Sequence, residues 1–80
     1  MEIVDERFIV CDPVQDRYIY IDSDWGGPLF TSSATSADSF YLIERARELL
    51  QTAHNKSSAI SEEEARRLVI RKLITVVDDL

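Results

Sequence analysis

The sequence predicts a single small α+β domain, residues 1–80, in which a two- or three-stranded antiparallel sheet packs against two helices. Three observations carry this expectation. Arg17-Tyr18-Ile19-Tyr20-Ile21 alternates polar and apolar at the strand period. Phe40, Ile43, Ala46, Leu49, Leu50 and Ala53 recur at helical spacing. Ser61 and Glu64 stand in the S-x-x-E arrangement that opens a helix, with Glu62 and Glu63 between them.

The elements follow in order. Arg7-Phe8-Ile9-Val10-Cys11 is apolar and β-branched and reads as the first strand, which Ile3 and Val4 can extend. Asp12-Pro13-Val14-Gln15-Asp16 is a turn, because Asp bonds nearby backbone and Pro presets φ. The short connection makes the first two strands an antiparallel hairpin. Asp22-Ser23-Asp24-Trp25-Gly26-Gly27-Pro28 breaks the sheet and holds both glycines of the chain. Leu29-Phe30-Thr31-Ser32 reads as a short third strand, with Pro28 suited to an edge.

Ser36 is a candidate N-cap for a first helix running from about Ala37 to His54, with Asp38 in its first turn. Lys56-Ser57-Ser58-Ala59 is the linker to the second helix. In that helix Ala65, Leu68, Val69, Leu73 and Val76 form the apolar stripe, and Ile60 can staple onto Ala65. Ile70, Ile74 and Val77 widen the stripe beyond what one small core needs, which predicts a homodimer or partner contact through this helix. A competing reading makes Leu73–Val77 a strand, because Ile74-Thr75-Val76-Val77 is β-branched. The expected core is Ile19, Ile21, Phe40, Ile43, Leu49, Leu68, Val69 and Leu73.

Composition narrows the function classes. Apolar residues make up 45% and charged residues 30%, which is ordinary for a globular chain and argues against wholesale disorder. A domain of this length buries only about 60–65% of its unfolded surface, so its core is thin. No apolar run approaches a membrane span. The acidic N-terminus, Met1-Glu2-Ile3-Val4-Asp5-Glu6, does not read as a secretory signal. A single cysteine, Cys11, fits a reducing, cytoplasmic setting.

The net charge is −6, and it is unevenly placed. Residues 1–44 carry nine acids against two bases; residues 45–80 carry six against seven. Such an N-terminal field repels phosphate backbones and attracts basic protein surfaces.

The chain is not expected to be an enzyme. Its one histidine, His54, and its one cysteine, Cys11, each stand without a recognisable base, nucleophile or ligand partner. No zinc-type spacing and no phosphate-binding glycine loop occurs, so neither a metal nor a cofactor is expected. Asp22 and Asp24 followed by Gly26 resemble the start of a calcium loop, but Ser33 occupies the position of the closing Glu, and the favoured reading is a turn in which Asp22 caps backbone amides. Arg66, Arg67, Arg71 and Lys72 on the second helix offer a nucleic-acid reading. Against it stand Glu62, Glu63 and Glu64 on the same helix, available for pairs such as Glu63 with Arg67.

The candidate site is acidic and aromatic: Asp16, Tyr18, Tyr20, Asp22, Asp24 and Trp25. Tyr18 and Tyr20 share one strand face while Ile19 and Ile21 take the other. Tyr and Trp are favoured interface anchors, and carboxylates around them suit a partner rich in Arg and Lys. Trp25 admits two roles, a plug at the end of the core or an interface anchor.

The stretch from Phe8 to Leu50, with Trp25-Gly26-Gly27 leading to Phe40 and Leu49-Leu50, resembles the compact units of small proteins encoded by phages and mobile elements, anti-CRISPR inhibitors among them. The same order of elements is similar to the HicB-type antitoxins. Both resemblances imply a protein-binding module whose partner has a basic, nucleic-acid-handling surface, a nuclease complex in one case and a toxin in the other. An accessory or regulatory protein is the plainer alternative.

Overall fold

The computed structural model describes residues 1–55 and 58–78, so Lys56 and Ser57 of the expected linker lie outside the described residues. The chain is α+β. Strands β1 (Glu2–Asp12), β2 (Arg17–Asp22), β3 (Gly27–Thr31) and β4 (Val69–Val77) form one antiparallel sheet in the order β3-β2-β1-β4. Helix α1 spans Ile43–Ala53 and α2 spans Glu62–Arg66. The expected hairpin, third strand and two helices are present, and the sheet has four strands rather than two or three.

The fourth strand replaces most of the expected second helix. The capping box forms: Ser61 Oγ accepts from the Glu64 N–H, and Glu64 Oε1 accepts from the Ser61 N–H, each at 3.1 Å. Ile60 and Ala65 are both buried, as the staple requires. The helix then ends at Arg67, and Val69–Val77 runs antiparallel to β1 across nine paired positions. The rival strand reading of Leu73–Val77 is therefore correct and extends back to Val69. Nine residues of ladder with β-branched side chains outweigh a helical stripe that had only one small core to face. In the strand Ile70 packs on the core, whereas Val69 is exposed and Leu73 half-buried.

The first helix begins later than expected. Ala34–Ser36 is a 3-10 turn, and α1 starts at Ile43 behind Leu42, which offers no side-chain cap. The segment between is claimed by the sheet. Phe40 exchanges backbone hydrogen bonds with Phe8 at 2.6 and 2.9 Å. The Asp38 N–H donates to Ile19 O, and Asp38 Oδ2 accepts from the Ile21 N–H at 2.7 Å. Asp38 thus serves as a surrogate strand rather than a helix N-terminal acid. It wedges β2 away from β1, which pair directly only at Cys11–Tyr18 and Asp12–Arg17.

The core lies between the sheet and α1: Val10, Ile19, Ala46, Leu49, Ala53, Ile60, Ala65 and Leu68, flanked by Phe8, Phe30, Phe40, Leu50 and Ile70. Ile19, Leu49 and Leu68 are buried as expected; Ile43 and Phe40 are half-buried. Ile21, expected in the core, is 41% exposed.

A charged cluster locks the layers at one end. Asp12 is fully buried. Its Oδ1 accepts from the Val14 and Gln15 amides at 3.0 and 3.4 Å, which sets the β1–β2 turn. Its Oδ2 accepts from Arg67 Nε and Nη2 at 3.2 and 3.1 Å and lies 3.5 Å from Arg17 Nη2. Arg17 also donates to Glu64 Oε2 at 3.0 Å and lies 3.8 Å above the Phe30 ring. Burial pushes the Asp12 carboxyl up, but the Arg67 hydrogen bonds and the two turn amides outweigh it and leave the group below its ordinary value. Glu64 is lowered too, first by the Ser61 backbone N–H and then by Arg17.

Asp12→Asn keeps an oxygen for the turn amides but strands Arg67, so we expect a loss of about 2 kcal/mol at neutral pH, less than for a fully buried pair because the guanidinium is partly wet. Both carboxyls are depressed in the folded state. Their contribution is complete above about pH 4 and is lost as pH falls through the folded values. Thermal denaturation across that range should show the wild type falling toward the variant; parallel curves would be inconsistent with the cluster. A second expectation concerns the wedge. Asp38→Ala should cost about 1 kcal/mol through the lost Ile21 bond, and Asp38→Asn much less, measured by urea unfolding.

Candidate interaction face

The turn before strand β2, the strand itself and the loop after it position all six sequence-nominated residues. Tyr18 pairs with Thr31 and Cys11, and Tyr20 with Leu29, so these side chains share the sheet face opposite the helices. Asp16 and Asp22 stand at the two ends of β2, about 20 Å apart along an extended strand. The arrangement is a ridge rather than a pocket.

Each tyrosine is tied to an acid. The Tyr18 hydroxyl donates to Asp16 Oδ1 at 3.3 Å, and the Tyr20 hydroxyl approaches Asp22 Oδ2 at 3.5 Å. The Asp16 carboxylate and, secondarily, burial hold the Tyr18 phenol above its ordinary value. Asp16 adopts a left-handed φ of 53°, a conformation that a short polar side chain tolerates.

Asp22 caps the backbone amides of its own turn, as expected from the sequence. Its Oδ1 accepts from the Asp24 and Trp25 amides at 2.9 and 2.8 Å, and its carbonyl accepts from the Gly26 N–H at 2.7 Å. This Asx turn fixes the loop and presents Trp25, which is 62% exposed. Trp25 is therefore not a core plug. Its indole lies so close to Gly27 that a Cβ there would come within 3.3 Å of Cδ1 and Nε1. Asp24 is exposed beside it, and Asp22, Asp24, Trp25, Leu29 and Ala59 line a shallow groove.

The face holds residues that sequence reasoning missed. Val69 pairs with Cys11 and Arg71 with Ile9, which brings both onto the tyrosine side of the sheet. With β4 read as helix, no signal could have placed them there. Cys11 is buried on this side, and that burial raises its thiol while Arg71 acts in the opposite sense.

The other nominated groups are dispersed. His54 is the exposed C-cap of α1. The basic residues do not form one helical face. Arg67 is engaged by Asp12 rather than by Glu63, and Arg66 bonds Glu62 at 2.8 Å. Lys72 lies on β4, 3.9 Å from Glu6. Among the described residues no group of His, Cys, Asp and Glu is arranged to hold a metal ion, and no helix is long and apolar enough to cross a membrane. Comparison with family models, curated proteins and solved structures finds no match to this chain.

The two loop glycines make separable predictions. Gly26 has φ +79°, so Gly26→Ala should destabilise by about 1 kcal/mol. Gly27→Ala meets only the exposed indole, so it should shift Trp25 fluorescence with little loss of stability. Equal stability losses in the two variants would show that the indole is more tightly held than this geometry implies.

Proposed function

We propose that the protein is a binding module that uses the β2 ridge to occlude a basic surface on a protein partner. The observation that carries the reading is the exposed Trp25, held by an Asx turn at the end of a strand whose two tyrosines face away from the core. Exposing the single tryptophan of a thin-cored domain forgoes apolar burial, and Trp and Tyr are the side chains most often found as interface anchors. Asp16 and Asp24 supply negative charge at the two ends of the ridge, where it would steer a basic partner and fix its register. In finer detail we infer a phage-type inhibitor, anti-CRISPR-like, acting in the host cytoplasm on a nucleic-acid-handling complex. The antitoxin reading uses the same ridge against a toxin.

Direct nucleic-acid binding is the weaker reading. Arg67 is sequestered by Asp12, Arg66 is paired with Glu62, and α2 is only five residues long.

Affinity capture from a bacterial host lysate, followed by kinetics on the captured partner, tests the proposal. Asp24→Lys should slow association and reduce its salt dependence, while Tyr20→Ala and Trp25→Ala should raise the off-rate by about tenfold or more. Asp22 is unsuitable for charge reversal, because its replacement also dismantles the loop. Salt-sensitive binding of the isolated protein to DNA or RNA, lost on reversing Arg71 and Lys72, would overturn the reading.

A further inference from the structure

The structure assigns the outer edge of β4 as a self-association surface, on which a second copy of this chain adds its own β4 antiparallel to form one continuous sheet. The inference is independent of the function proposed for the β2 ridge. The β1–β4 pair runs beyond the body of the domain. Strand β2 leaves β1 after Cys11, and Phe40 bridges only Phe8, so among the described residues β4 is the single strand paired with residues 2–6, with Tyr41 beside them. The molecule measures 47 × 23 × 22 Å, with a radius of gyration of 13.4 Å. A compact chain of this length would have about 12 Å.

This ribbon is apolar without being covered. Ile3, Val4, Ile74, Val76 and Val77 are each 43–53% exposed. A two-stranded ribbon is marginal by itself in water and is stabilised by further strands. Strand β4 offers the template: it is the sheet edge, nine residues long and free of proline, and the one irregularity of its ladder, between Ile3 and Asp5, adds its extra residue to β1. Among the described residues, no backbone group of Val69–Val77 bonds anything outside the β1 ladder.

Charge admits a second copy as the occupant in the full-overlap register. A two-fold pairing centred on Leu73 sets Arg71 opposite Thr75 and Lys72 opposite Ile74 of the other copy, with Val69 against Val77, so no like charges meet. The competing edge, residues 2–6 of β1, would set Glu2 against Glu6 in its full overlap. The second copy therefore joins through β4. This relocates the self-association expected of a second helix onto a strand edge, with Ile74 and Val77 still at the contact.

Sedimentation equilibrium of the full chain across the micromolar range tests this. Twice the 9.2 kDa chain mass is expected for the wild type. Ile74→Lys places a lysine opposite Glu6 within its own chain, which favours the folded ribbon, and opposite Lys72 of the other copy, which opposes pairing. It should weaken the dimer by about tenfold or more while the circular dichroism spectrum stays that of the folded chain. Adding Lys72→Glu to Ile74→Lys turns the repulsive pair into an attractive one and should restore the dimer. A wild type that stays at 9.2 kDa, or a dimer indifferent to Ile74→Lys, overturns the inference.

Discussion

Everything at one end of the molecule depends on a single buried carboxylate. Asp12 ends β1, and its two oxygens face different tasks: one closes the turn into β2, the other receives Arg67. Arg67 is the C-cap of α2 and directly precedes Leu68, the buried residue that leads into β4. Removing a carboxylate from water is costly, and the cost is offset only when both oxygens are bonded and countercharge is adjacent. Both conditions hold only if turn, helix and strand arrive together. The cluster also reaches Glu64, whose other oxygen closes the capping box, so the local helix start and the tertiary contact share one side chain. A helix of five residues has little stability of its own, and this coupling is what holds it.

Much of the fold was legible in the sequence wherever a signal was local. The alternation around Ile19, the Asp12 turn and the Ser61 capping box all appear as read, because each is satisfied within a few residues. The failures share the opposite cause. Ser36 and Asp38 look like a helix start, but Asp38 accepts a bond from Ile21, seventeen positions earlier. The apolar residues from Val69 onward fit both a helical stripe and a strand, and the deciding partner is β1, some sixty residues away. No local pattern encodes such a partner. The width of the apolar arc was itself a signal: a helix buries one stripe, whereas a strand at the end of a ribbon exposes both of its faces.

The candidate face was legible for the same reason the strand was: period-two alternation assigns Tyr18 and Tyr20 to one side without any knowledge of the other strands. What the sequence could not supply was the division of labour among the acids. Composition counts nine in the first forty-four residues. Asp22 reads from the sequence as the cap of its own turn, which it forms; the structure adds the commitment of Asp12 to the buried cluster and of Asp38 to the strand wedge.

That division changes what the negative charge means. Asp12 is compensated by guanidinium groups, and Asp22 and Asp38 are partly spent on backbone amides, so net charge overstates the field available to a partner. Asp24, exposed beside Trp25, projects the most direct field, and Asp16 projects one from the other end of β2 while bonded to Tyr18. Arg71 adds an opposite charge on the same side of the sheet, in β4. A surface of that kind discriminates by pattern rather than by total charge. A uniformly cationic partner would meet repulsion at Arg71, and a uniformly anionic one at the two aspartates. The best complement places its cations along β2 and leaves the β4 side neutral or acidic.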